Sequence, residues 1–367
     1  MSSDAGVVAR LSTLNRFLPL WIALAMAAGL GLGSLVPGLN DALDELRVGT
    51  VSLPIAIGLL LMMYPVLAKV RYEELGRRRG DGVSDRSLFG VSLFLSWVVG
   101  PAFMFALAWL FLADQPAYRT GVIIVGLARC IAMVLVWNDI ACGDHDRAAV
   151  LVVFNALFQL VAYSLFGYFY LTLLPGWLGL DTQGFEVGIW EVARTVLIFL
   201  GIPLAAGFAT RRIGLRRRGR DWYEESFIPR IAPLTLYGLL FTIVLLFAIQ
   251  GDRITTSPLD VARIALPLLV YFAGMWVVGF AIGKAMGFPY AQTTTLALTV
   301  ASNDFELAIA VAVGVFGAES GQALAGVVGP LIEVPVLVGL VYVALWLSRR
   351  LVWPEIRAVA VVDPVAD

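Results

Sequence analysis

Ten apolar runs follow one another along the chain, at residues 17–36, 49–68, 88–112, 120–142, 148–173, 190–210, 229–250, 261–284, 289–316 and 322–347. Each reaches the roughly 20 residues a helix needs to cross the hydrocarbon core of a bilayer. In lipid every backbone N–H and C=O must be satisfied within the segment, so such runs form helices. The chain is 60% hydrophobic and 14% charged, whereas a soluble domain has about 25% charged residues. An all-α polytopic membrane protein with ten spans is predicted. Residues 1–16 are polar and mixed, so the first run reads as a true span and not a cleaved leader.

Charge tests the topology. With the N-terminus inside, 20 of the 26 Lys and Arg fall on inner segments and five on outer ones, while Arg129 lies within a run. That bias predicts both termini on the cytoplasmic side of the plasma membrane. The arginine runs Arg77–Arg79 and Arg216–Arg218 read as topology signals or lipid head-group contacts, not as a nucleic-acid surface. Trp177, Trp190 and Trp353 lie near span ends and read as interface anchors. The spacing of Ala25, Gly29 and Gly33 predicts close helix packing.

Three runs carry polar groups that a lipid-facing helix would not. Residues 126–144 hold Arg129, Cys130, Asn138 and Asp139; residues 301–307 hold Asn303, Asp304 and Glu306; Glu333 sits between Pro330 and Pro335. A charge at bilayer depth costs at least about 2.5 kcal/mol and normally faces a protein interior or a wet cavity on a solute pathway. If residues 130–137 are helical, Cys130, Met133, Val134 and Trp137 share a face, with a soft sulfur on it. Asn303 and Glu306, three apart, would likewise share a face, with Asp304 pointing elsewhere. Burial disfavours the charged form of a carboxyl, which suits proton uptake and release. Glu306, Asp304 and Glu333 are therefore the candidate proton carriers, Glu333 alternatively a partner for Arg129 or an interrupted helix end. Asn155 and Gln159, one turn apart, read as hydrogen-bonding glue between helices.

Ten spans divide into five and five, and two odd halves must insert in opposite senses. A displacement of 174 residues brings the span at Phe17 onto the one at Glu191, Arg129-Cys130 onto Asn303-Asp304, and Gln159 onto Glu333. The expected organisation is a first five-helix repeat (1–180), an inverted second one (181–350) and a cytoplasmic tail (351–367). Inverted repeats with interrupted helices hold the solute near the midplane. No nucleotide-binding, metalloprotease or serine-hydrolase motif is present, so neither an enzyme nor a cofactor is expected. Cys130 and Cys142 would lie about 18 Å apart on a continuous helix, beyond disulfide reach. The single His145 is a poor start for a metal site.

The segment Ala-Arg-Cys-Ile-Ala-Met-Val-Leu-Val-Trp-Asn-Asp (128–139) closely resembles the signature of the arsenical-compound-resistance family of arsenite efflux permeases, in the bile-acid, arsenite and riboflavin transporter superfamily. Residues 62–75, 301–312 and 329–337 also resemble it, and the likeness runs from about Arg16 to Arg350. The resemblance implies ten spans in two inverted repeats, with crossed discontinuous helices four and nine as in sodium–proton antiporters and bile-acid symporters. It implies export of trivalent arsenic, sometimes antimony, by alternating access in exchange for protons. It places the family's essential cysteine at Cys130, in transient contact with As(III), and its essential acid at Glu306. Arg129, Trp137 and Asn303 complete the expected solute site, and a second copy of the chain is a candidate partner besides arsenite, antimonite, protons and lipid. The chain departs from the family at Asp304 (usually Asn), Cys142 (usually Lys) and Val66 (usually Pro). The nearest rival is a sodium-coupled organic-anion symporter of the same superfamily, with Arg129 pairing the anion.

Overall fold

The computed structural model describes residues 18–36, 38–48, 51–72, 82–131, 133–180, 188–256 and 258–354. Arg77–Arg79, residues 73–75 of the second resembling segment and the tail from 355 lie outside the described residues.

Each of the ten apolar runs contains a helix or a pair of helices. Helices α1 (Leu18–Leu35) and α3 (Leu53–Lys69) fill the first two, joined by the short α2 (Leu39–Glu45) and a two-residue hairpin, β1 (Arg47–Val48) on β2 (Val51–Ser52). Then come α4 (Gly82–Phe94), α5 (Gly100–Phe111), α6 (Pro116–Leu127), α7 (Met133–Ile140), α8 (His145–Tyr168) and α9 (Leu174–Trp177). The second half holds α10 (Ile189–Val196), α11 (Ile202–Asp221), α12 (Ile228–Thr256), α13 (Pro258–Ala285), α14 (Tyr290–Ala301), α15 (Phe305–Phe316) and α16 (Gly321–Arg350).

Prolines set the local winding. Widened π turns at Leu95–Val99, Phe169–Leu173, Leu197–Gly201 and Trp222–Phe227 link consecutive helices, and each ends two residues before a proline: Pro101, Pro175, Pro203 and Pro229. A proline has no N–H to donate and its ring crowds the carbonyl four residues back, so the preceding turn opens instead of breaking.

Five helical stretches are long and apolar enough to cross a membrane, and α1, α3 and α15 are shorter apolar helices. One of the five, Ile189–Ile249, is 61 residues long. At 1.5 Å per residue it would reach about 90 Å, three bilayer cores. It divides at the arginine-rich end of α11, where Gly219 has φ +83° and leaves the helix. The chain is a multi-pass membrane protein.

The two halves of the chain interleave. Helices α1 and α3 of the first pack on α11 and α12 of the second, while α5, α6 and α8 surround α13 to α16. Side-chain contacts between distant loops agree with the charge count. Arg71 meets Glu224 at 3.3 Å, joining two segments assigned to the inner side. Asp114 pairs with Arg263 and Tyr118 donates to Asp260 at 3.1 Å, joining outer ones.

The small-residue stripe does what its spacing predicts. A Cβ on Gly29 would stand 2.5 Å from the Val244 carbonyl oxygen, and one on Gly33 would strike the Ala248 backbone. Backbone on both sides cannot yield. Gly29→Val is therefore expected to destabilise the α1–α12 contact by about 1–3 kcal/mol, read as a lower melting temperature in detergent; an unchanged melting temperature would contradict the packing.

Candidate functional site

The fourth and ninth runs are not continuous helices. α6 ends at Leu127 and α7 begins at Met133; α14 ends at Ala301 and α15 begins at Phe305. The two extended breaks cross, and Arg129 and Asn303 pair across them as an antiparallel bridge. The Cys130 N–H donates to the Ser302 carbonyl (3.4 Å) and the Asp304 N–H to the Ala128 carbonyl (3.2 Å). These two bonds flank the Arg129–Asn303 pair, so the N–H groups of Arg129 and Asn303 point away from each other.

A buried N–H needs an acceptor. Gln159 on α8 supplies one through Oε1, 3.2 Å from the Arg129 nitrogen, and Glu333 on α16 supplies the other through Oε1, 3.2 Å from the Asn303 nitrogen. Adding 174 to each residue number exchanges the partners within both pairs of bonds. The helix bounds follow the same displacement: Pro116 to Tyr290 and Leu127 to Ala301 are each 174 residues apart. Gln159 is thus interhelical glue as expected, and so is Asn155, which accepts from the Trp97 indole at 3.2 Å.

Each break also caps the half-helix that follows it. The Val134 N–H donates to Cys130 Sγ (3.3 Å) and the Leu307 N–H to Asp304 Oδ1 (3.0 Å). The thiol and the carboxyl therefore occupy corresponding places, each at the N-terminus of a half-helix where the peptide dipoles favour negative charge.

This crossing corrects two expectations. Ser302 and Asp304 are extended and α15 starts only at Phe305, so Asn303 and Glu306 do not share a helical face. In extended chain, side chains alternate: Arg129 and Asn303 project to one side of the bridge, Cys130 and Asp304 to the other. Nor is Cys130 on a helix with Met133 and Trp137; it precedes α7. Trp137 is buried farther along α7. Asp139, read from the sequence as lying at bilayer depth, is exposed and hydrogen-bonded to His145 at 2.7 Å. α7 is only eight residues long and brings it to the surface. Asn138 stays inside, accepting from Thr295 on α14 at 2.7 Å.

The crossing is buried and polar. Arg129 is 0% exposed, so its side chain does not reach toward a membrane surface. Its Nη1 donates to the Tyr271 hydroxyl on α13 (2.8 Å), Nη2 donates to the Gly126 carbonyl, and Nε has no protein partner. Both side-chain polar atoms of Asn303 and one carboxyl oxygen of Glu333 also lack protein partners. The Asp304 carboxyl neighbours those of Glu306 and the amide of Gln159. Of the two cysteines, Cys130 is buried and Cys142 exposed, and neither is in a disulfide. Tyr271 escaped the sequence reading, because a tyrosine within an apolar run gives no signal of its own until its hydroxyl is seen on an arginine.

The model of the Sodium Bile acid symporter family matches residues 56–257. An arsenical-resistance protein, Acr3, of Corynebacterium glutamicum is 56% identical over 94% of this chain and 92% of its own length. An uncharacterized transporter of Synechocystis is 34% identical over 92% of the chain and 91% of its length. The Acr3 arsenical-resistance protein of Alkaliphilus metalliredigens is 30% identical over 93% of the chain and 94% of its length.

Proposed function

The chain belongs to the arsenical-resistance permeases of the Sodium Bile acid symporter family, and we propose that it exports trivalent arsenic, and antimony of the same charge type, in exchange for protons. The observation that carries this reading is the crossing itself. It holds a thiol, three carboxyls and a guanidinium, all buried where two broken helices meet.

Arsenous acid is neutral at physiological pH, and its arsenic is a soft centre for which sulfur is the preferred ligand. In the proposed binding step the Cys130 sulfur bonds to arsenic, and the thiol proton leaves with one arsenic hydroxyl as water. The reverse step releases arsenous acid unchanged. One sulfur holds the cargo weakly enough to let it go, whereas a cluster of thiols would trap it. Among the described residues no group of three His, Cys, Asp or Glu side chains could hold a metal ion.

Protons supply the drive. One guanidinium at the crossing balances one carboxylate, and the other two carboxyls are best neutralised by protons, since an uncompensated buried charge is costly. Glu306 is the assigned carrier, Asp304 its neighbour and relay. Glu333 is tied through one oxygen to the Asn303 N–H and couples protonation to the shape of the break. A proton entering with a 100 mV potential supplies about 2.3 kcal/mol. Arsenite and the coupling proton exclude each other, so the site faces outward loaded and returns inward protonated.

The matched hydrogen bonds at a displacement of 174 residues support two inverted five-span repeats, the first within 1–180 and the second within 181–350. The loop contacts and the excess of arginines support ten spans with both termini cytoplasmic in the plasma membrane. Flux into proteoliposomes under an imposed pH gradient tests the reading. Arsenite and antimonite are expected to accumulate without sodium and a bile acid to be ignored. A sodium requirement with uptake of the bile acid would instead make the chain an organic-anion symporter, with Arg129 as the anion's partner.

A further inference from the structure

At one end of α11 lies an open groove of about 540 Å³, away from the helix crossing. Four arginines line it, Arg211, Arg212, Arg216 and Arg220, together with Tyr72 and Phe208. Phe208, Arg212 and Arg216 recur every fourth residue and so form one stripe on α11. Like charges at that spacing destabilise a helix, and this stripe is kept in a segment that packs tightly. A Cβ on Gly207 would stand 2.8 Å from the Leu67 and Ala68 backbone of α3.

Only one acid answers these charges among the described residues. Glu224 lies 3.3 Å from Arg71, 3.2 Å from Arg211 and 3.1 Å from Arg220. Burial works against its charge, but the hydrogen bonds from Arg220 and Arg211 and the charge of Arg71 outweigh that and hold the carboxyl below its usual range. Glu224 is thus fully engaged on the buried side of the groove. On the open side Arg212 and Arg216 are exposed, and no carboxylate lies within ion-pair distance of either among the described residues.

The walls are apolar and fixed. The Tyr72 ring meets the Phe208 ring edge-on at 5.4 Å, and its hydroxyl donates to the Leu67 carbonyl at 2.9 Å. Phe208 remains 45% exposed. It sits one turn nearer the apolar part of α11 than Arg212 and two turns nearer than Arg216. The groove therefore grades from guanidinium to exposed aromatic along the direction in which the bilayer grades from phosphate to acyl chain.

We infer that this groove binds the head group of an anionic phospholipid, with Arg212 and Arg216 on the phosphate and Phe208 against the first acyl carbons. A free phosphate would satisfy the arginines and leave the aromatic wall without a use. Basic grooves between helix ends are suited to such head groups. The proposal is independent of what the protein carries.

The test uses the whole chain purified from nanodiscs of phosphatidylcholine with or without phosphatidylglycerol. Native mass spectrometry counts retained lipid. Arg212→Gln/Arg216→Gln is expected to weaken phosphatidylglycerol retention about fivefold for each arginine removed. The control Arg349→Gln/Arg350→Gln, with the same loss of charge, should retain it. Both pairs are exposed, and an unchanged melting temperature in phosphatidylcholine checks the fold. Equal retention by both variants would overturn the proposal and leave the stripe as a topology signal. Displacement of the lipid by millimolar inorganic phosphate would overturn it in favour of a free-anion site.

Discussion

Cys130→Ser is expected to reduce arsenite transport to background while leaving the fold intact. The two roles of the side chain separate here. As a cap, the sulfur accepts one hydrogen bond from the Val134 N–H at 3.3 Å, and a serine hydroxyl accepts the same bond with a slightly shorter reach. As a ligand, oxygen has none of sulfur's preference for a soft centre. The variant should keep its melting temperature and lose both arsenite binding and flux. Each tenfold loss of affinity measures about 1.4 kcal/mol of arsenic–sulfur interaction. Binding undiminished in Cys130→Ser would remove the thiol from the mechanism; loss of the folded protein would show that capping is the larger role.

Glu306→Gln should have an equally large effect of a different kind. The residue lies in the first turn of α15, buried, beside Asp304. Glutamine keeps the size and hydrogen bonding of a protonated glutamate and cannot release a proton. Everted vesicles with an acid interior should no longer accumulate arsenite through this variant. Exchange of labelled for unlabelled arsenite, which needs no proton, should survive. Proton-driven accumulation by Glu306→Gln would transfer the coupling role to Asp304 or Glu333. Loss of exchange together with accumulation would make Glu306 part of the solute site.

The helices were legible because the bilayer dictates their length. The breaks were legible too, because Arg129 and Asn303-Asp304 are too polar for a lipid-facing helix, and the displacement that matched Gln159 to Glu333 reappears as two matched hydrogen bonds. What could not be read was the side each residue takes. Helical spacing groups Asn303 with Glu306, but one antiparallel bridge makes residues 302–304 extended and regroups Asn303 with Arg129 and Cys130 with Asp304. The position of Asp139 failed for a related reason: nothing in residues 133–140 tells how soon a half-helix reaches the surface. Tyr271 was invisible because its importance lies in a partner 142 residues away.

The central claim is that one crossing carries arsenic one way and protons the other. Imposing an arsenite gradient across proteoliposomes at equal pH, with a trapped pH indicator, tests it most directly. Arsenite leaving the interior should draw protons in, and the signal should vanish in both Cys130→Ser and Glu306→Gln. Arsenite crossing with no proton movement, or only with sodium, would contradict the account.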